Sequence, residues 1–157
     1  MYDLTEAYLM TTYICALAAL LGALLYGGAA LAPLAVKVLD EPAAARLLRA
    51  YWPRYYKTGI AIGGLLTLIV FAAMPVSALP GMYALLLGAL AALMTTSFFI
   101  ALQLIPAINA ARDAGDMARF DRLHRIDVAL TGAGLLVGAV LLALLIWVLP
   151  GQFTYTV

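Results

Sequence analysis

The chain contains few of the residues on which small redox proteins and metalloproteins depend. Among its 157 residues there is one cysteine, Cys15, and one histidine, His124. A single cysteine excludes an intrachain disulfide and a cage of several thiolates, and a single histidine excludes paired haem ligands or a multi-histidine site from one copy. We therefore expect one chain to hold no metal and no cofactor.

Charge is scarce as well. Only 11% of the residues are charged, whereas 66% are hydrophobic and the mean hydropathy is +1.05. A soluble domain usually carries about 25% charged residues, so the apolar excess indicates an integral membrane protein. The net charge of +1 and the lack of a basic arm argue against nucleic acid as a partner.

Four apolar segments are long enough to cross a bilayer, which takes about 20 residues. They predict an all-α bundle of four transmembrane helices, formed by a single domain over residues 1–157. The first segment is too long for the core of a cleavable signal peptide and lacks a basic flank, so we expect it to remain as the first helix. The second and third are separated only by the turn Leu79-Pro80-Gly81. The predicted spans are about 8–36, 58–79, 82–110 and 126–149.

The placement of charge predicts the orientation. All nine basic residues lie in the two segments that connect the first span to the second and the third to the fourth. By the positive-inside rule both segments are cytoplasmic and both termini face outward. We expect the inner membrane of a bacterium, with the termini in the periplasm. The basic residues are Lys37, Arg46, Arg49, Arg54, Lys57, Arg112, Arg119, Arg122 and Arg125.

Most acidic residues lie in the same two segments, whereas Asp3 and Glu6 lie at the outward-facing N-terminus. Asp127 is assigned, with five others, to the two cytoplasmic segments, and none is expected in the middle of a span. Proton- and ion-coupled transporters usually place an ionisable residue near the midplane of the membrane. The pattern therefore argues against a coupled pump.

The two cytoplasmic regions align without a gap, which indicates an internal duplication. The alignment predicts two repeated helical hairpin units, about 8–79 and 82–149, each with a short amphipathic helix in its cytoplasmic loop. Asp40 and Asp113 are expected to cap these loop helices. The matched pairs are Pro33 with Pro106, Asp40 with Asp113, Ala45 with Ala118, Arg46 with Arg119, Arg49 with Arg122, Thr58 with Thr131, and Gly59 with Gly132.

Four arginines occupy matching positions in the two loops, three residues apart in each: Arg46 and Arg49, Arg119 and Arg122. Such spacing places each pair on one helix face. One interpretation is a solvated face that contacts lipid phosphates or nearby aspartates. The other is a paired site for an anionic ligand or an acidic partner. The neighbouring Tyr51, Trp52, Tyr55 and Tyr56 resemble an interfacial aromatic belt, which favours the first interpretation.

Inside the spans the sequence offers packing motifs and a few polar residues. Gly59-xxx-Gly63 and Gly134-xxx-Gly138 predict close helix packing, with dimerisation of whole chains as the alternative. Gln103 and Asn109, on the third helix with Thr95, Thr96 and Ser97, are expected to form interhelical hydrogen bonds rather than substrate contacts. His124, at the start of the fourth helix, is expected to be an interfacial residue.

Several short motifs resemble the transmembrane protein 205-like family. They are Gly27-Gly28 with Pro33, the run from Tyr51 to Tyr56 with Leu47, Pro106-Ala107-Ile108-Asn109, and Phe120-Asp121-Arg122-Leu123-His124. The resemblance covers roughly residues 20–145 and implies four spans, with His124, Asn109 and Pro53 as motif residues of unassigned role. A eukaryotic member linked to platinum-drug resistance implies transport or trafficking. Asp127 departs from the family, in which a small hydroxyl residue is expected, and the family's long third-to-fourth loop is short in this chain.

The sequence contains no complete catalytic constellation, so three hypotheses follow. The first is a non-enzymatic accessory or structural subunit of a larger membrane protein complex, in contact with lipids and with other subunits or copies of itself. The second is a small transporter or channel for a solute or metal, with a polar path along the third helix. The third is an enzyme that acts on a lipid or quinone through His124 and Asp127.

Overall fold

The computed structural model describes residues 4–73 and 81–153, and it confirms an all-α bundle. Four helical regions are long and apolar enough to span a membrane. The predicted turn at Leu79 and Pro80 lies outside the described residues. The elements are α1 (Leu4–Tyr26), a π-helical segment (Gly27–Leu31), α2 (Ala32–Val38), α3 (Glu41–Ala73), α4 (Gly81–Asp113) and α5 (Met117–Phe153).

The first span is continuous but widens at Gly27–Leu31, where the helix adopts π geometry. The aromatic side chains of α3 pack against this segment. The Tyr55 hydroxyl donates a hydrogen bond of 2.9 Å to the Leu24 carbonyl, and the Tyr51 hydroxyl lies where a Cβ on Gly27 would stand. Glycine is therefore required at position 27 for the close approach of α3.

The long helices extend beyond the apolar layer. Helix α4 has 33 residues, which corresponds to about 50 Å, against a hydrocarbon core of about 30 Å. The predicted amphipathic loop segments are helical, but they are the first turns of α3 and α5 rather than separate helices. The charged turns therefore project from the apolar part of the bundle as rigid continuations of the spans.

Only one of the two predicted helix caps is present. Asp40 caps α3, because its Oδ1 accepts a hydrogen bond of 2.7 Å from the Ala43 amide. The prediction for Asp113 is wrong: this residue is the last of α4, and Asp116 caps α5 by accepting from the Arg119 amide at 3.0 Å. Gly115 ends α4 with a φ of 69°, so the cap falls on the residue after it. The internal repeat itself stays a prediction.

Helix α4 packs against α3 and α5 along its length, and α1 packs more sparsely against the same two helices. Glycines allow these close contacts. A Cβ built on Gly59 would lie 3.2 Å from the buried Phe98 ring, and one on Gly138 would lie 2.7 Å from the Met94 sulfur. Gly63 faces Thr95 and Met94, and Gly134 faces Ser97 and Phe98, in the same way.

Candidate functional site

A buried carboxylate is the most unusual feature of the bundle. Asp127 is only 5% exposed and lies inside α5. Its side chain therefore points into the bundle and not into solvent, whereas its position relative to the membrane stays a prediction. An ionisable group buried between membrane helices is costly and commonly marks a functional position.

Three polar side chains from two helices form this cluster. The Tyr56 hydroxyl of α3 lies 2.9 and 3.0 Å from the two carboxylate oxygens of Asp127, and 3.0 Å from the Thr131 hydroxyl. A phenol has one proton, so when Tyr56 donates to Asp127 it can accept from Thr131. The hydrogen bonds then run in one direction, from Thr131 through Tyr56 to Asp127. We call these three residues the tyrosine–aspartate cluster.

The cluster lies near the charged end of the bundle rather than at its centre. The exposed Lys57 follows Tyr56, and the exposed Arg125 precedes Asp127 by two residues. In the described part of the chain neither forms an ion pair with Asp127. The Tyr56–Asp127 bond links α3 directly to α5, although most of the packing of both helices is with α4.

Aromatic rings enclose the tyrosine. Trp52 stacks on Tyr56 with ring centroids 6.0 Å apart, and Tyr55 meets Tyr56 edge-on at 5.1 Å. Tyr55 and Tyr56 are both buried, so the interfacial-belt interpretation is wrong for these two residues. Their rings exclude water from the hydrogen bonds of the cluster.

Sequence reasoning missed the cluster, although a signal was present. Asp127, Thr131, Gly134 and Gly138 are spaced by four, three and four residues. This spacing puts them on one face of a helix, and the two glycines were already identified as packing positions. Tyr56, Gly59 and Gly63 are spaced by three and four residues, so they also share one helix face. A polar residue on a glycine-rich face is expected to point into the bundle.

Ion pairs connect the two charged segments at one end of the molecule. Arg49 forms two hydrogen bonds with Asp113, one of them 3.0 Å long. Arg112 and Glu41 lie 3.4 Å apart. Both pairs join a residue of α3 to a residue at the end of α4. The two basic regions of the sequence therefore lie at the same end of the bundle.

The paired geometry of Arg49 and Asp113 predicts a charge-exchange result. Arg49→Glu is expected to lower the unfolding temperature in detergent, because two carboxylates would then face each other. Adding Asp113→Arg is expected to restore most of that loss. Because the pair is exposed, both effects should shrink as salt is raised. Unfolding curves at low and high salt measure this, and a double variant no more stable than the single one would contradict the contact.

The other predicted arginines and the histidine lie on the surface. Arg46, Arg119 and Arg122 are exposed, and none forms an ion pair within the described residues. His124 is also exposed and stacks on Phe120, with centroids 5.6 Å apart. The Arg112 guanidinium lies 5.8 Å from the same ring. No hydrogen bond joins His124 to Asp127 in the described chain.

The polar residues of α4 do not line one path within the chain. Ser97 is buried, whereas Thr96 and Gln103 face outward and Asn109 is half-buried. The Thr95, Thr96 and Ser97 hydroxyls donate to carbonyls of their own helix. Back-bonding of this kind satisfies a hydroxyl without a ligand.

Comparison with known protein families identifies a family for most of the chain. Residues 15–116 match a family described as a domain of unknown function, DUF4149. The matched region extends from the first span to the cap of α5, and so includes Tyr56 but neither Asp127 nor Thr131. No curated protein and no solved structure matches the chain significantly.

Proposed function

This chain belongs to the DUF4149 family, a domain of unknown function, and we propose that it is a non-enzymatic accessory subunit of a larger membrane protein complex. According to this proposal, the chain functions through contacts between membrane helices and not through catalysis at a binding pocket. Two features of the chain support this view. The polar groups of the tyrosine–aspartate cluster bond to one another, and the outer helix faces offer surfaces suited to neighbouring helices.

The main support for the proposal is a face of α1 that is made of small residues and is not covered by another helix of the chain. Cys15, Ala18, Ala19 and Gly22 are all exposed, and a Cβ added to Gly22 would have no atom within 4 Å. In membranes, small residues let helix backbones approach closely, which favours association. The glycines of α3 and α5 are already used in this way inside the chain, whereas this face of α1 is left free for a neighbouring subunit.

The proposal includes an orientation. Because Arg49 and Arg112 bring the two basic segments to one end of the bundle, a single end carries the positive charge. The positive-inside rule then supports cytoplasmic loops and outward termini in a bacterial inner membrane.

Co-purification of partner proteins tests the proposal. We expect wild-type protein, extracted from its native membrane in mild detergent, to carry bound membrane proteins. Gly22→Leu should release them, because a leucine side chain would hold the partner helix away. The matched control is Ala61→Leu on the outer face of α3, which is also exposed but lies beside the exposed Leu65. Equal retention of partners by the two variants would overturn the role of α1.

A small transporter is the second candidate, and the buried Asp127 favours it. Carboxylates within membrane bundles often serve as proton-relay groups. Solute and metal flux into liposomes, measured for wild type and Asp127→Asn with and without a pH gradient, tests this function. Loss of a gradient-dependent flux in the variant would support transport, and the absence of flux in the wild type would exclude it for the solutes tested.

A further inference from the structure

The basic residues at the charged end lie at different depths, because those of α3 and α5 belong to helices that continue beyond the apolar layer. Helix α5 provides the depth scale. Arg125 and Trp147 are exposed residues of this helix and lie 22 residues apart, which corresponds to about 33 Å. The hydrocarbon core is about 30 Å thick, and tryptophan is typical of its boundary with water. Arg125 is therefore expected at one boundary of the core and Trp147 at the other.

Lys57 is expected at the same boundary on α3. The preceding residue, Tyr56, contacts Asp127 of α5, and Asp127 lies only two residues after Arg125. Two residues of a helix correspond to about 3 Å along its axis. Lys57 and Arg125 therefore lie at a similar depth on two different helices.

Two pairs of cations lie at the depth of the lipid phosphates. The headgroup layer of one leaflet extends about 5–8 Å beyond the core. Arg54 lies three residues before Lys57, so it is about 4.5 Å closer to the charged end and shares a helix face with Lys57. Arg122 has the same relation to Arg125 on α5. We call Arg54 with Lys57, and Arg122 with Arg125, the two phosphate-level pairs.

The four side chains of these pairs are exposed, and none forms an ion pair within the described residues. Arg54 donates to the Ala50 carbonyl at 2.6 Å and keeps other N–H donors. Asp121, the exposed acidic residue beside the second pair, is bonded to neither of its arginines in the described chain. Helical side chains lean toward the N-terminus, which for α3 and α5 is the charged end. The long basic side chains therefore extend from the edge of the core into the headgroup layer.

Two further exposed arginines lie beyond that layer. Arg119 lies six residues before Arg125, which corresponds to about 9 Å, and Arg46 lies 11 residues before Lys57, which corresponds to about 16 Å. Their side chains also lean away from the membrane. Residues of one type in the same basic segments are thus divided by depth into those that reach lipid phosphates and those that do not.

We propose that each phosphate-level pair binds the phosphate of one phospholipid with an anionic headgroup, such as phosphatidylglycerol. Guanidinium and ammonium groups form strong, charge-assisted hydrogen bonds with phosphate oxygens. An anionic lipid also carries a net negative charge that a zwitterionic lipid lacks, and basic clusters at the ends of membrane helices recognise this charge. The inference goes beyond the proposed function and does not depend on it, because it concerns a lipid and not a partner helix.

Native mass analysis of the protein released from vesicles tests the proposal, with equal amounts of phosphatidylglycerol and phosphatidylcholine in the vesicles. The wild type should retain one phosphatidylglycerol for each pair. Arg54→Gln with Lys57→Gln should lose one of these lipids, and Arg122→Gln with Arg125→Gln should lose the other. One basic residue near the membrane surface contributes about a 5-fold gain in lipid binding, so each double variant should weaken one site about 25-fold.

Two control variants separate a depth-specific site from the general charge of this end. Arg46→Gln with Arg119→Gln removes the same number of charges outside the headgroup layer and should retain both lipids. Arg122→Lys with Arg125→Lys keeps the charge and should also retain both. Equal loss of lipid in the Arg46 and Arg119 variant, or equal retention of the two lipids by the wild type, would overturn the proposal. Displacement of the bound lipid by inorganic phosphate would overturn it as well, because the pairs would then bind a soluble anion.

Discussion

Tyr56→Phe is expected to destabilise the protein by about 3 kcal/mol, because it removes the donor to a buried carboxylate. The substitution preserves the ring and its stacking on Trp52, so packing changes little. What is lost is the hydrogen bond from the Tyr56 hydroxyl to Asp127, together with the one it shares with Thr131. Breaking a buried charged contact by removing one partner costs about 3–5 kcal/mol, and leaving a neutral buried group unsatisfied costs about 1–3.

Two further variants separate this effect from a general loss of the hydroxyl. Tyr26→Phe is the matched control, since Tyr26 is 64% exposed, and it should change stability little. Asp127→Ala combined with Tyr56→Phe should cost less than the sum of the single changes, because neither partner is then left unpaired. Denaturant titration of the detergent-solubilised protein, followed by far-UV circular dichroism, measures the wild type, the double variant, and Tyr56→Phe, Tyr26→Phe and Asp127→Ala alone. If Tyr56→Phe were as stable as Tyr26→Phe, the carboxylate would not depend on Tyr56.

Gly134→Leu is expected to destabilise the bundle by about 3 kcal/mol or to prevent its assembly. A Cβ at this position would collide with the Ser97 hydroxyl and lie 3.3 Å from the Phe98 ring. Both side chains are buried, so a leucine can be accommodated only if α5 moves away from α4. Overpacking of this kind typically costs about 1–3 kcal/mol, and a whole isobutyl group lies at the upper end of that range.

Gly132→Leu provides a close control, because Gly132 lies two residues away on the same helix. A Cβ there would have no atom within 4 Å. Leucine also has a higher helix propensity than glycine, by up to about 1 kcal/mol. Gly132→Leu should therefore leave stability unchanged or raise it, as measured by the same titration. If the two leucine variants behaved alike, the packing of α5 on α4 would be contradicted.

The four spans could be predicted from the sequence, because the length of an apolar segment is enough to identify a membrane-spanning helix. A helix that crosses lipid must satisfy its backbone internally and present apolar side chains, and hydropathy reports both requirements. The charged ends were less predictable. The amphipathic stretch before Thr58 continues into α3 without a break, because nothing between Arg46 and Thr58 ends the helix. Pro53 lies inside it.

The tyrosine–aspartate cluster was not predicted, because charged residues were grouped by their position along the chain. The helix face on which each one lies was not considered. Asp127 lies two residues after Arg125, so it was grouped with the basic segment. On a helix, however, residues two apart point to different sides. Arg125 faces outward while Asp127 faces α3. The Tyr56 contact joins residues 71 apart in sequence, and no local pattern specifies such a pair.

The same distinction applies to Gln103. Sequence placed it in a span and indicated that its amide needs a partner, but it could not show on which side of α4 the residue lies. The structure puts it outward, away from α3 and α5. The uncovered small-residue face of α1 supports the proposal that this bundle is one part of a larger membrane assembly.

Native mass analysis of the wild-type protein, extracted from its own membrane in mild detergent, tests the central claim most directly. One chain has a mass of 16.6 kDa. The account predicts complexes heavier than this, in which the chain is bound to other membrane proteins. Recovery of the 16.6 kDa chain alone, folded and without any bound protein, would contradict it.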